Sequence, residues 1–188
     1  MRKVVALLAV VVTSSAYGGV VTFSPAEVTI DLPVLTTGAL DVGVHQGALG
    51  PIQTVDLYIG SSSVNLTGFT FDPAFVSATA FRSGPLLDTL QPIYSQSLYI
   101  GGFLNAPVAS FDPIGRMTID AAGLPVGDYV LGVNSVTDQQ RSAFGMPDGE
   151  TIDNSLIGSA IVHVVPEPAT LSLLGLGLLG FLRRRFAA

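Results

Sequence analysis

The chain has 188 residues, no cysteine and no tryptophan, and a formal net charge of −6. Without cysteine, a disulfide framework, thiol catalysis and thiolate metal sites are excluded. Five of the eight basic residues lie at the two ends (Arg2, Lys3, Arg183, Arg184 and Arg185), so residues 19–165 set three arginines (Arg82, Arg116, Arg141) against 13 acidic side chains, 3 − 13 = −10, a surface that repels phosphate backbones and excludes nucleic acid as the expected partner.

The first segment reads as an export signal. Arg2 and Lys3 form a basic start, Val4 to Val12 an apolar run, and Ser14-Ser15-Ala16 the small residues that a signal peptidase reads. A signal peptide over residues 1–18 is therefore expected, with the mature chain beginning near Tyr17 or Gly19.

Residues 19–165 suffice for one domain with a sizeable core. Eight segments read as strands: Val20 to Phe23, Val28 to Ile30, Leu40 to Val44, Val55 to Ile59, Phe69 to Phe71, Met117 to Ile119, Tyr129 to Val133 and Ile161 to Val164. Most alternate apolar and polar residues at period two, which puts one strand face in a core and the other in solvent. Phe71-Asp72-Pro73 and Phe111-Asp112-Pro113 are expected to stop strands, and Leu124-Pro125-Val126-Gly127 and Asp148-Gly149 to form turns. No stretch shows a sustained helical period with caps. Many short strands with frequent Gly and Pro point to an all-β, antiparallel β-sandwich, with a barrel as the lesser option.

Three stretches carry a resemblance. The opening Val21-Thr22-Phe23-Ser24-Pro25, the later Gly68 to Val76 containing Phe71-Asp72-Pro73, and the late Ile114 to Ile119 followed by Gly127 to Leu131 look like cohesin-type and carbohydrate-binding-type sandwiches of jelly-roll kind. The segment Leu86 to Phe103, rich in Leu and Tyr, has no counterpart in that pattern.

The chain closes on Pro166-Glu167-Pro168, the apolar run Ala169 to Leu182 and Arg183-Arg184-Arg185. Fourteen helical residues would span about 21 Å against about 30 Å of bilayer core, short for a permanent anchor. Three arginines resist translocation and put Glu167 and everything before it on the far side of the membrane. The order of these parts resembles the PEP-CTERM proteins of Gram-negative bacteria. That resemblance implies an exosortase as partner, with Pro166, Glu167 and Pro168 recognised, residues 169–182 as a transient transmembrane helix, and Arg183 to Arg185 as the stop-transfer cluster. It also implies passage through the inner membrane to the cell surface or extracellular matrix. Val164 to Pro168 reads as the hinge between domain and tail.

Catalytic signals are sparse. His45 and His163 lie in strand-like segments, and no G-x-S-x-G elbow provides a nucleophile, so the two read as strand histidines with ordinary hydrogen bonds. Asp56, Asp72, Asp88, Asp112 and Asp120 could supply a carboxylate pair for a hydrolase, but Asp72 and Asp112 precede proline, where aspartate caps a turn. Asp148, Glu150 and Asp153, with Asn154, form the densest oxygen-bearing stretch and are the calcium candidates, without EF-hand spacing. Gly175-Leu176-Gly177-Leu178-Leu179-Gly180 matches a dinucleotide fingerprint in letters alone, since it lies inside the apolar tail with no βαβ unit around it. Tyr58, Tyr94, Tyr99 and Phe103 could stack sugars, which makes an extracellular polysaccharide a candidate partner. The expected function is a non-catalytic structural or adhesive surface protein; a carbohydrate- or calcium-binding module is the alternative, a secreted hydrolase the third option.

Overall fold

The computed structural model describes residues 19–32, 35–46, 50–61, 63–88, 96–133, 142–153 and 156–166. The strands are β1 (Val20–Ser24), β2 (Glu27–Leu32), β3 (Thr37–His45), β4 (Ile52–Ser61), β5 (Asn65–Phe71), β6 (Thr79–Asp88), β7 (Gln96–Val108), β8 (Ser110–Asp120), β9 (Gly127–Val133), β10 (Ala143–Gly145), β11 (Ile152–Asp153) and β12 (Ser159–Pro166). One short helix, α1 (Pro73–Ala78), stands between β5 and β6.

The strands form two sheets. The smaller has the order β1-β3-β8-β5; the larger runs β6-β7-β4-β9-β12-β2, with β10 and β11 continuing beside β4 where β9 leaves off. All eight strands expected from the sequence are present. The strand ladders are antiparallel except between β12 and β2, which run parallel from Ile161↔Glu27 to Pro166↔Leu32; a single parallel bridge also joins Val20 to Ile157. Between the sheets lies one apolar core that includes Leu40, Val42, Val55, Leu57, Ile59, Leu98, Ile100, Met117, Ile119 and Val162. On β4 the alternation is regular: Val55, Leu57 and Ile59 are buried while Asp56 and Tyr58 turn outward. Burying each such aliphatic side chain contributes roughly 1.5–3 kcal/mol, which is what selects this register over one slipped by a residue.

Four expectations need correction. Phe111-Asp112-Pro113 does not stop a strand but lies inside β8, where the ladder to β3 shifts register between Val42 and Val44; the extra β8 residues bulge out, and a proline without an N–H is tolerated there. The turn expected at Leu124 to Gly127 falls three residues earlier, at Ala121 to Leu124: Leu124 N–H donates to Ala121 O at 3.0 Å, and Gly123 takes the left-handed φ of +79° that an L side chain resists. Asp72 does end β5, but as the cap of α1: its carboxylate accepts from Ala74 N–H at 2.7 Å, with Pro73 opening the helix. Finally, Val164, Val165 and Pro166 are no hinge, because they belong to β12 and pair with Ile30, Asp31 and Leu32.

β6 and β7, unplaced from the sequence, form a hairpin-like pair at one edge of the larger sheet. Phe75 from α1 fills the space beneath them, fully buried and flanked by Phe71 and Phe111 at ring separations of 5.9 and 5.1 Å.

Candidate functional site: an aromatic face on the larger sheet

The strand-borne large apolar residues exposed to solvent all lie on the larger sheet: Phe81, Leu86, Phe103, Val130 and Ile152. The outward residues of the smaller sheet, by contrast, include Thr22, Ser24, Asp41, Thr67, Thr70, Arg116 and Thr118, and none of the large exposed apolar residues on described strands lies there. Phe81 is 66% exposed, Leu86 58% and Ile152 58%, too much for residues that close a core. Large apolar side chains exposed together on one sheet face mark a contact surface.

Strand register assembles it. Phe81 on β6 stands directly opposite Phe103 on β7, Leu86 opposite Tyr99, and Tyr99 opposite Tyr58 on β4. The two tyrosine rings lie 4.9 Å apart at 37°. Tyr99 Oη donates to Asp56 Oδ1 at 2.7 Å. Partial burial, then this bond and the charge of Asp56, push the Tyr99 phenol up to about 12, so it stays a neutral donor. Gly101 makes this possible, since a Cβ there would stand 2.5 Å from Tyr99 Oη and drive the ring off its neighbour.

Two shallow hollows share Phe103 as a wall. One, of about 220 Å³, lies among Asp56, Phe81, Ser83 and Tyr99; the other, of about 410 Å³, lies among Gln53, Met146, Pro147, Thr151 and Ile152. The first combines ring faces with carboxylate and hydroxyl groups, the second is mainly apolar. Of the aromatic residues expected to cluster, Tyr58, Tyr99 and Phe103 are brought together, while Tyr94 lies outside the described residues. Phe81 and Leu86 were missed from the sequence, although Phe81-Arg82-Ser83 carries an alternation that Gly84-Pro85 interrupts.

The charged candidates are committed elsewhere. His45 Nε2 lies 3.4 Å from Asp112 Oδ2, which also accepts from Thr22 Oγ1 at 3.3 Å. His163, on β12, meets Asp128 of β9 at 2.7 Å and Glu27 of β2 at 3.6 Å. Asp120 caps the following turn through Ala122 N–H, and Asp72 caps α1. With Asp56 on Tyr99, the described carboxylates of the hydrolase set are thus separately engaged; the Asp88 side chain lies outside the described residues. In the calcium candidate, Asp148 accepts from the Glu150 and Thr151 N–H groups and from Thr151 Oγ1, and these bonds hold its carboxyl below the usual value. It caps its own turn; the Asp153 side chain and Asn154 lie outside the described residues. Among the described residues, no three His, Asp or Glu side chains gather as a metal site.

Of the sorting residues, Pro166 is the last residue of β12, while Glu167, Pro168, residues 169–182 and Arg183 to Arg185 lie outside the described residues, as does the signal-peptide stretch. Among the described residues no helix is long and apolar enough to cross a membrane.

Comparison with known proteins defines the class in two parts. Residues 164–185 match the PEP-CTERM protein-sorting motif. The domain before it has the cohesin fold. A cohesin module from a Clostridium perfringens family 33 glycoside hydrolase superposes at a TM-score of 0.55 with 13% identity, covering 81% of this chain and 100% of that one. A type I cohesin from a Clostridium thermocellum cohesin–dockerin complex gives 0.53 with 10% identity over 79% and 99%, and a non-cellulosomal cohesin from Archaeoglobus fulgidus 0.51 with 9% over 79% and 91%. No curated protein sequence matches the chain. The chain is therefore a cohesin-like β-sandwich that ends in a PEP-CTERM sorting motif, the mark of an exosortase-sorted surface protein.

Proposed function

We propose that this is an exported, non-catalytic adhesive protein, delivered to the cell surface by an exosortase, whose sandwich holds a protein partner on the β6-β7-β4 face. The observation that carries the reading is the cross-strand aromatic patch of Phe81, Phe103, Tyr99 and Tyr58, exposed on a domain that carries its own surface-sorting signal. Aromatic anchors beside shallow pockets are the usual hot spots of protein interfaces, and the net charge of −10 over residues 19–165 favours a partner with a basic rim. The cohesin from Clostridium thermocellum was solved with a dockerin, which supports a protein as the kind of partner.

The hollow between Tyr99, Asp56 and Ser83 favours a second reading, a polysaccharide stacked on the same rings. The Phe81→Ser/Phe103→Ser double variant tests both. It should be displayed like the wild type yet lose cell adhesion by roughly 30-fold or more, since one such anchor carries about 2 kcal/mol. Unchanged adhesion refutes the face; retardation of the wild type by polysaccharide in affinity electrophoresis, absent in the variant, would assign it to sugar. Mass spectrometry of surface-released protein checks the sorting, which an intact Arg183-Arg184-Arg185 end would contradict.

A further inference from the structure

The sorting motif is joined to the fold without a linker. Pro166 is both the first residue of its Pro-Glu-Pro and the last residue of β12, held in parallel register against Leu32 of β2. Only Glu167 and Pro168 separate it from the apolar run that begins at Ala169, a reach of at most about 11 Å. With the tail in a bilayer, the end of the sandwich from which β12 leaves must sit at the membrane surface.

Among the chain segments at that end are residues 35–36 and 121–126. β2 runs parallel to β12, so its last residue, Leu32, lies beside Pro166; β9 runs antiparallel, with Gly127 opposite Val164, so Val126 just before β9 lies at that end too. The two segments are joined by the Ala121 N–H donating to Thr36 O at 2.7 Å, and each is pinned to the sheet, Leu35 N–H to Asp31 O at 2.9 Å and Tyr129 Oη to Pro125 O at 2.7 Å. From this braced pair project Leu35, 48% exposed, and Val126, 62% exposed. Neither is on the aromatic face, and neither is used by the core.

We infer that Leu35 and Val126 form a membrane-resting foot, which docks the sandwich end-on against the outer surface of the bilayer while the sorting tail is inserted. The occupant is the lipid interface itself. Two aliphatic side chains bind lipid weakly alone, but a tether this short holds them at an effective concentration in the millimolar range or above, so weak contact suffices. Asp31 and Asp120 border the same end and make a zwitterionic surface the suitable one. The inference rests on the reading of residues 169–182 as a membrane segment.

The absence of cysteine makes the test clean. The full mature chain, tail included, is reconstituted into phosphatidylcholine–phosphatidylethanolamine vesicles with one environment-sensitive fluorophore at Leu35→Cys, Val126→Cys, Ile157→Cys or Leu178→Cys. Ile157 lies just before the start of β12, whose eight residues place it roughly 26 Å from the foot. Probes at 35 and 126 should shift to the blue and be quenched several-fold more strongly by headgroup-level spin-labelled lipid than the probe at 157. A Gly/Ser insert of about ten residues after Pro168, adding roughly 17 Å of reach, should weaken that quenching severalfold. If the probe at 178 is quenched by deep spin labels while those at 35 and 126 behave like 157, the foot is refuted and the tail reading stands. A probe at 178 that stays in water overturns the tail reading and the foot with it.

Discussion

Ser142→Ala tests how the aromatic face keeps its central strand. β9 and β10 lie end to end along one edge of β4, and the ladder breaks between Asp56↔Ala143 and Ile59↔Val133. Tyr58 falls in that break. Its N–H donates to Ser142 Oγ at 2.8 Å and its carbonyl accepts from the same hydroxyl at 3.2 Å, so one buried side chain, 3% exposed, bonds both backbone groups of Tyr58. Alanine removes both of these bonds. Loss of a bond to a buried backbone donor costs about 1–3 kcal/mol. At about 2–4 °C per kcal/mol for a domain of this size, a loss of about 2 kcal/mol lowers Tm by roughly 4–8 °C. Calorimetry measures the shift, and hydrogen exchange reads the Tyr58 amide directly. Ser142→Cys separates this account from a simple cavity, because it restores volume with only a weak donor and should recover little of the loss. An unchanged Tm with an unaltered Tyr58 exchange rate would refute the bridging role.

Phe75→Ala removes the ring packed between Phe71 and Phe111 beneath Gly102, and should cost about 3–5 kcal/mol in a denaturant titration, the largest loss expected from one substitution near the face. The hydrogen bond that His163 donates to the Asp128 carboxylate, reinforced by the charges of Asp128 and Glu27, raises the imidazole pKa. The folded state thus favours the protonated ring. Its contribution is complete below the ordinary imidazole value of 6.5 and disappears as pH rises through the raised one. Melting curves against pH should show this fall in the wild type and lack it in His163→Gln; identical profiles would show that the cluster does not bear on stability.

The sequence made some of this legible because period-two alternation is a local signal. Val55-Asp56-Leu57-Tyr58-Ile59 announces both a strand and its outward tyrosine. β6 and β7 were not legible, since Gly84-Pro85 and Gly101-Gly102 break the alternation, and what fixes them is the cross-strand pairing of Phe81 with Phe103 and the support of Phe75 from below. The face is assembled by register between strands distant in sequence, which no local pattern encodes. Ser142 was invisible for the same reason, because a serine between strands has no signature until its partner, 84 residues away, is placed. The tail motif, in contrast, is a linear signal carried by consecutive residues, so its order alone makes it legible.

The separation of the two surfaces bears on how sorting and binding relate. β12 points its C-terminal end toward the tail, and β4, β6 and β7 run along the same sheet, so their outer face stands at right angles to the end that carries Leu35 and Val126. A sandwich resting on that end presents Phe81, Phe103 and the paired tyrosines sideways, to neighbours at the same height, rather than down onto lipid. Three strand positions separate β12 from β7 in the order β7-β4-β9-β12, roughly 14 Å across the sheet. On the proposed arrangement the rings face along the membrane rather than toward it. Partner binding is then available both at the membrane and after release, and the aromatic and tail substitutions should act independently, their combined effects adding as distant sites do.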